Sequence, residues 1–454
     1  MSHSQIIMRN MEDGTRKDGK PKRSKPNNEE DLINQLPDGI PIIILSKLPI
    51  NEAAKTSILS RKWKRLWTYF SGTLEFDGSP IMKDMKKDIK NITRRHLHMS
   101  MHLHMAMETM FDAERQTYTS WINELFSSLK SPTLEGLKFW FPMKTVFDID
   151  KWIHIAVKKK VQKLELYFGR TIDYVLPLEL FKLERFNSLC VLRMKSITMT
   201  EQMLEYLLCN CPLLETLSLV RSNVPKTMKI SDSSLNLKCL ELVGCLELTK
   251  LEIFAEKLVS YKYYGSFIKR EFKSVPSLVE ASFGGYFVQF ARESFISQIK
   301  VLKLDITQNS PEIIYWLIHF PKLKNVKHLE LVACFDHDIT LSACVMLLKA
   351  TPSLWSFTLK KLNTTPSFRP EQKFTAECPY SLKELELVGF YGAACEVELV
   401  THILENAVEL KKITIDTRLP TKPKRRKTWN HEESRKHALG LKEKIPPCIE
   451  FVCL

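Results

Sequence analysis

The chain has 454 residues, 44% of them hydrophobic, and carries a formal net charge of +15. That length suits two or three ordinary domains or one elongated repeat array, and only 14 glycines exclude collagen-like and other glycine-dense folds. The positive balance permits a nucleic acid or an acidic partner without requiring either, and eleven scattered cysteines with no CxxC pair fit a reducing compartment rather than a zinc or disulfide framework.

Residues 1–30 are polar and hold the basic run RKDGKPKRSK (Arg16 to Lys25), so a disordered basic tail is expected. No signal-peptide core opens the chain, and the apolar run Ile40 to Leu45 is far too short to span a membrane. A soluble protein of the cytoplasm or nucleus, without membrane contact, is the expectation. GTRKDGKP (Gly14 to Pro21) only imitates a phosphate loop, because Pro21 stands where the metal-binding hydroxyl belongs and no strand precedes it.

Residues 31–75 change character and read as three short helices. Asp38 is placed to cap the first, with Pro41 tolerated in its first turn and Pro49 ending it. Asn51 caps the second, and Ser60 the third, where Trp63, Leu66, Trp67 and Phe70 recur at helical spacing. So small a module cannot bury all this apolar surface, and a greasy helix face is expected to await a partner.

Residues 76–133 read as a linker holding a first helical segment and the stretch HLHMSMHLHMAM, residues 96–107. Imidazole and thioether are soft metal ligands, yet the reading here is a loosely ordered low-complexity insertion, with no functional metal site and no cofactor.

From residue 134 to 377 an LxxLxL-like unit recurs, and it continues through 378–418. Its equivalent positions are 137, 164, 192, 217, 240, 261, 281, 302, 329, 357, 385 and 413, separated by 20 to 28 residues. This is the leucine-rich-repeat range. Period-two alternation inside each unit predicts a half-buried strand, with helices between strands at 203–212, 312–321, 344–352 and 398–407. The fold class is α/β: a short helical module, then a solenoid with strands on a concave side and helices on a convex side. Residues 419–454, with KPKRRK at 422–427, read as a second basic tail. The two runs suit solvated tails, a nuclear import signal or nucleic-acid contact.

LPDGIPIIILSKLPINEAAKTSILSRKWKRLW resembles the F-box of plant F-box/leucine-rich-repeat proteins, and CPYSLKELELVGFYGAACEVELVTHILENAVELKKITI (378–415) is similar to the FBD domain that closes many of them. FDIDKWIHIAVKKKVQKLELYF and LEYLLCNCPLLETLSL are similar to the same family. The resemblance implies a non-catalytic substrate-recognition subunit of a Skp–cullin–F-box type ubiquitin ligase. Its adaptor-contacting motif falls on Leu36, Pro37, Ile40, Ile44, Leu45, Leu48, Ser60, Trp63, Leu66 and Trp67. The basic rim Arg61, Lys62, Lys64 and Arg65 suits an acidic adaptor. Gly39 and Pro41 depart from the family pattern, so a short or frayed first helix is expected.

The repeats would hold an unknown protein substrate. Residues between and after the leucines point to the open strand face. Candidates are Lys138, Trp140, Glu165, Tyr167, Arg193, Lys195, Lys303, Asp305, Glu330, Glu386 and Asp416, of which Trp140, Tyr167, Arg193, Lys195, Lys303 and Asp305 are singled out. Two rival readings stand: a repeat scaffold without ligase association, and a basic nucleic-acid binder using YKYYGSFIKREFK (261–273).

Overall fold

The computed structural model describes residues 35–56, 60–78, 100–140, 147–169, 174–183, 186–231, 235–285, 295–307, 320–333, 339–361, 380–419 and 431–454. The chain divides into two compact units, Met1–Pro225 and Lys226–Leu454. The basic runs at 16–25 and 422–427, and residues 312–319 of one expected helix, lie outside the described residues.

The first unit begins with three helices, α1 (Gly39–Lys47), α2 (Ile50–Lys55) and α3 (Arg61–Leu66), the last continued by a 3-10 turn, Trp67–Tyr69. The expected fraying of α1 is not found. Gly39 and Pro41 fall in the first turn, where N–H groups have no intrahelical acceptor, so neither interrupts the ladder. Asp38 does not cap α1 with its side chain. Its carboxylate turns instead to Arg65 at 2.9 Å and Lys62 at 3.3 Å. Helix α2 starts at Ile50 with Pro49 at its N-cap, which leaves Asn51 inside the helix. Ser60 does cap α3, accepting the Trp63 N–H at 3.3 Å.

Next come β1 (Thr73–Asp77), α4 (Ser100–Ser128), β2 (Gly136–Trp140), α5 (Phe147–Lys158), β3 (Lys163–Tyr167), α6 (Leu178–Leu183), β4 (Val191–Lys195), α7 (Glu201–Asn210) and β5 (Thr216–Val220). The five strands pair in parallel, in chain order. Their register stacks Leu74, Leu137, Leu164, Leu192 and Leu217 in one buried row. Behind it Phe139 lies between Phe76 and Trp152 of α5, with centroids 5.1 and 4.6 Å away, and Trp121 and Phe126 of α4 meet Phe76 edge-on.

Strand β1 lies in residues assigned above to the end of the F-box and the linker. It ties the helices to the sheet. Ser46 Oγ of α1 lies 2.9 Å from Ser71 Oγ and accepts the Ser71 N–H at 3.3 Å, while the Ser71 carbonyl accepts the Glu135 N–H at 2.8 Å. A Cβ on Gly72 would run into the Ser46 carbonyl, so only glycine lets α1 approach β1 this closely.

The second unit contains β6 (Thr227–Ser231), β7 (Cys239–Val243), β8 (Lys250–Phe254), β9 (Ser260–Tyr264), β10 (Lys269–Ser274), β11 (Glu280–Gly284), β12 (Val301–Asp305), β13 (His328–Ala333), α8 (Ile339–Ala350), β14 (Ser356–Lys361), β15 (Glu384–Val388), α9 (Ala394–Asn406), β16 (Lys412–Asp416), α10 (His431–Lys442) and β17 (Glu450–Cys453). Strands β7, β9, β11 and β12 to β17 form a parallel run, and β10, β8 and β6 a separate three-stranded parallel sheet. The shortest repeats explain that second sheet. A spacing of 20 to 23 residues leaves little chain for a helix, and a strand returns instead. Tyr261 and Tyr263 are buried, and Tyr261 packs against Phe272 and Phe283. These two tyrosines of YKYYGSFIKREFK are core rather than a stacking platform for bases.

Residues 431–454, expected within a basic tail, include α10 and β17. Strand β17 pairs with β16, and Thr417 Oγ1 donates to the Leu454 carbonyl at 3.0 Å. In the sequence 38 residues separate Lys412 from its strand partner Glu450, so the repeat window never reaches this strand. A buried ion pair fixes the preceding repeat. Lys361 Nζ donates to Glu396 at 3.0 Å with both side chains 4% exposed, and the other Glu396 oxygen accepts the N–H groups of Tyr391, Gly392 and Ala393.

Two measurements check this packing. Gly72→Ala should destabilise the protein by about 1–3 kcal/mol in urea denaturation. Gly440→Ala, in α10 with nothing near its Cβ position, should stabilise by up to about 1 kcal/mol. Burial holds the His402 pKa below its ordinary 6.5, with Tyr380 Oη 3.0 Å from Nε2. The unfolded chain therefore binds that proton first, and stability is lost as pH falls below 6.5. His402→Gln should reduce the drop in urea midpoint between neutral pH and mildly acidic pH.

Candidate interaction surfaces

The helical module separates its expected contact residues into two sets. Leu45, Trp63, Leu66 and Trp67 are buried, the tryptophans 4% and 7% exposed, and they hold the three helices together. Leu36, Leu48 and Ser60 are half-buried, and Pro37 is exposed. Ile40 and Ile44 are 44% and 41% exposed on α1, and between them Ile43, not singled out in the sequence, is 63% exposed. Residues three and four apart share a helix face, so the three isoleucines form one uncovered apolar strip. The period of GIPIIILSK carries that signal, but six apolar residues in succession hide which face is which. Of the basic rim, Arg61 is exposed, whereas Lys62 donates to the Leu36 carbonyl at 2.5 Å and Arg65 pairs with Asp38.

On the open face of the first unit's sheet, opposite the buried leucines, charges alternate across the strands. Glu75, Lys138, Glu165 and Arg193 stand in register, with Lys138 bonded to Glu75 and Arg193 to Glu165, each at 2.9 Å. The Glu75 hydrogen bond raises the Lys138 pKa. Two residues further along each strand, Asp77, Trp140, Tyr167 and Lys195 form the next row. Trp140 and Tyr167 meet edge to face at 5.0 Å, and the Lys195 ammonium lies 4.4 Å from the Tyr167 centroid and 5.0 Å from that of Trp140. Trp140 remains 42% exposed. The structure thus gathers Trp140, Tyr167, Arg193 and Lys195 on one face.

Lys303 and Asp305 belong to the second unit, on the same face of β12. Lys303 donates to Glu280 at 2.8 Å, a bond that raises its pKa, and Asp305 accepts the Thr307 N–H at 3.0 Å. Glu330 is bound by Lys360, Glu386 by the Thr358 hydroxyl, and Asp416 by Arg418, whose hydrogen bond lowers the Asp416 pKa. Tyr264 lies across Gly284, where a Cβ would come within 2.6 Å of its ring, and its hydroxyl meets Ser282 at 3.1 Å. Sequence reading missed this platform, because a glycine in a strand signals a close approach without naming the ring that approaches.

Of the His/Met stretch, residues 96–99 lie outside the described residues, and the backbone of 100–107 opens α4. Its ordered helical backbone replaces the expected loose insertion there. No cluster of three or more His, Cys, Asp or Glu side chains suited to a metal occurs among the described residues. Among the same residues no helix is long and apolar enough to cross a membrane.

Comparison with known proteins agrees with this arrangement. Residues 33–73 match the F-box domain family, and residues 179–444 match the family described as At1g61320/AtMIF1, LRR domain. The chain is similar to three proteins of Arabidopsis thaliana along most of both sequences. It is 26% identical to FBD-associated F-box protein At3g52670, covering 86% of this chain and 89% of that one. It is 25% identical to F-box/FBD/LRR-repeat protein At5g22660, covering 85% and 90%. It is 22% identical to F-box/LRR-repeat protein 13, covering 87% and 91%. With an F-box packed on stacked parallel strands, and a repeat match spanning more than half of its length, the chain belongs to the At1g61320/AtMIF1 leucine-rich-repeat family and carries an F-box ahead of its repeats.

Proposed function

We propose that this protein is a substrate-recognition subunit of a Skp–cullin–F-box type ubiquitin ligase, working in the cytoplasm or nucleus. The F-box docks on a Skp-type adaptor, the repeats hold a protein substrate, and ubiquitin transfer belongs to other subunits. The observation that carries this reading is the strip Ile40, Ile43 and Ile44, exposed on a helix whose opposite side, through Leu45, is sealed in the core. An apolar helix face laid into a partner's groove is a recurring recognition mode. Trp63 and Trp67 are buried in the core of the same module.

The ties between Ser46, Ser71 and Gly72 give the reading a mechanical consequence. A partner bound to α1 and a substrate bound on the first unit's sheet are held by one packed body, so the substrate is presented at a fixed place. Trp140 and Tyr167 suit the centre of a substrate contact, since exposed Trp and Tyr dominate interface energetics. Lys195 holds the pair in place before any partner arrives.

Co-purification of the full chain with a Skp-type adaptor tests the docking. Ile43→Asp/Ile44→Asp should lose capture while the melting temperature stays close to that of the unaltered chain, because both side chains are already solvated. Capture that survives this change in a folded protein would reject the strip as the docking face. Trp63→Ala should behave in the opposite manner, costing about 3–5 kcal/mol of stability through the cavity it leaves.

A further inference from the structure

The outward rows of the long parallel run in the second unit place no two like charges opposite one another. Glu241 faces Lys262, Lys303 faces Glu330, Lys412 faces both Glu384 and Glu450, and neutral residues separate the rest. The row immediately before the strands breaks this rule. Register places Lys300 beside Lys327, then Trp355, Lys383 and Lys411, one per strand. Strand spacing sets neighbours about 4.8 Å apart. Like charges placed directly opposite are unfavourable. The backbone allows the row no relief. The Lys300 carbonyl accepts the N–H groups of both Lys327 and His328, and the Lys327, Trp355 and Lys383 carbonyls each accept two from the next repeat in the same way. Lys300, Lys327 and Lys411 are exposed and face no carboxylate at ion-pairing distance among the described residues. Trp355 is 42% exposed, braced edge to face by His328 at 5.5 Å.

We propose that this row is a docking edge for an acidic protein segment, with carboxylates meeting Lys300, Lys327 and Lys411 and an apolar side chain resting on Trp355. Charge complementarity selects an anionic partner. The interruptions select a polypeptide over a nucleic acid. Glu409 lies 3.7 Å from Lys383, and Glu384 begins β15 beside it. A phosphodiester strand, charged at every unit, would meet these carboxylates, whereas a peptide can set a neutral residue there. This edge is independent of the F-box strip, and adaptor capture does not report on it.

Fluorescence anisotropy of the full chain with a labelled glutamate-rich peptide carrying one central tryptophan tests the proposal. Binding should weaken with added salt. It should weaken by about tenfold or more in Lys300→Glu/Lys327→Glu/Lys411→Glu. Lys300→Gln/Lys327→Gln/Lys411→Gln provides a gentler variant, checked for folding by circular dichroism. Lys151→Glu/Lys158→Glu/Lys160→Glu makes the same change in net charge on exposed lysines of the first unit and should leave binding intact. Three results would overturn the proposal: no binding by the unaltered protein, equal loss in the two charge-reversed triples, or tighter lysine-dependent binding of a single-stranded oligonucleotide of matched charge.

Discussion

Everything in this chain depends on the stacking of one buried side chain per repeat in exact parallel register. Leu137, Leu164, Leu192 and Leu217 follow one another across the first unit, and Leu240, Tyr261, Ala281, Leu302, Leu329, Phe357, Leu385 and Ile413 across the second. A repeat cannot bury that residue alone and does so only against its neighbours. Once the row is fixed, so is every outward position. The charge pairs, the Trp140–Tyr167–Lys195 cluster and the lysine row all follow from it. A one-residue slip would turn each of these toward the core.

The F-box extends the same logic. Its aromatic residues seal a small core, and its first helix is fastened to the first strand through Ser46, Ser71 and Gly72. What remains solvated is an aliphatic strip. The division is physical: large rings give a short module enough buried area to fold, and branched aliphatic residues of its first helix stay exposed.

The repeat register was legible in the sequence because a buried strand position every 20 to 28 residues leaves a period that a count can find. All twelve marked positions lie at equivalent places in their strands. Strands β1 and β17 were not legible, since each is reached across a connection longer than the repeat. The three-stranded sheet was hidden in short repeats, because its strands fall between the marked positions. The exposed surface of the F-box was half legible. The motif that marks an F-box includes both buried and exposed residues, and sequence alone does not say which is which. Burial separates them: Trp63 is sealed inside, whereas Ile43, outside the motif residues, is exposed. The lysine row escaped notice because its members precede the recognisable motif and align only when strands are set side by side.

Hydroxyl-radical footprinting of the full chain, alone and with a Skp-type adaptor, tests the central claim most directly. Oxidation of Ile40, Ile43 and Ile44 should fall sharply in the complex, while Trp63 and Trp67 should be slow to react in both states. Unchanged reactivity of the three isoleucines in a formed complex, or loss of reactivity confined to the repeats, would contradict that claim.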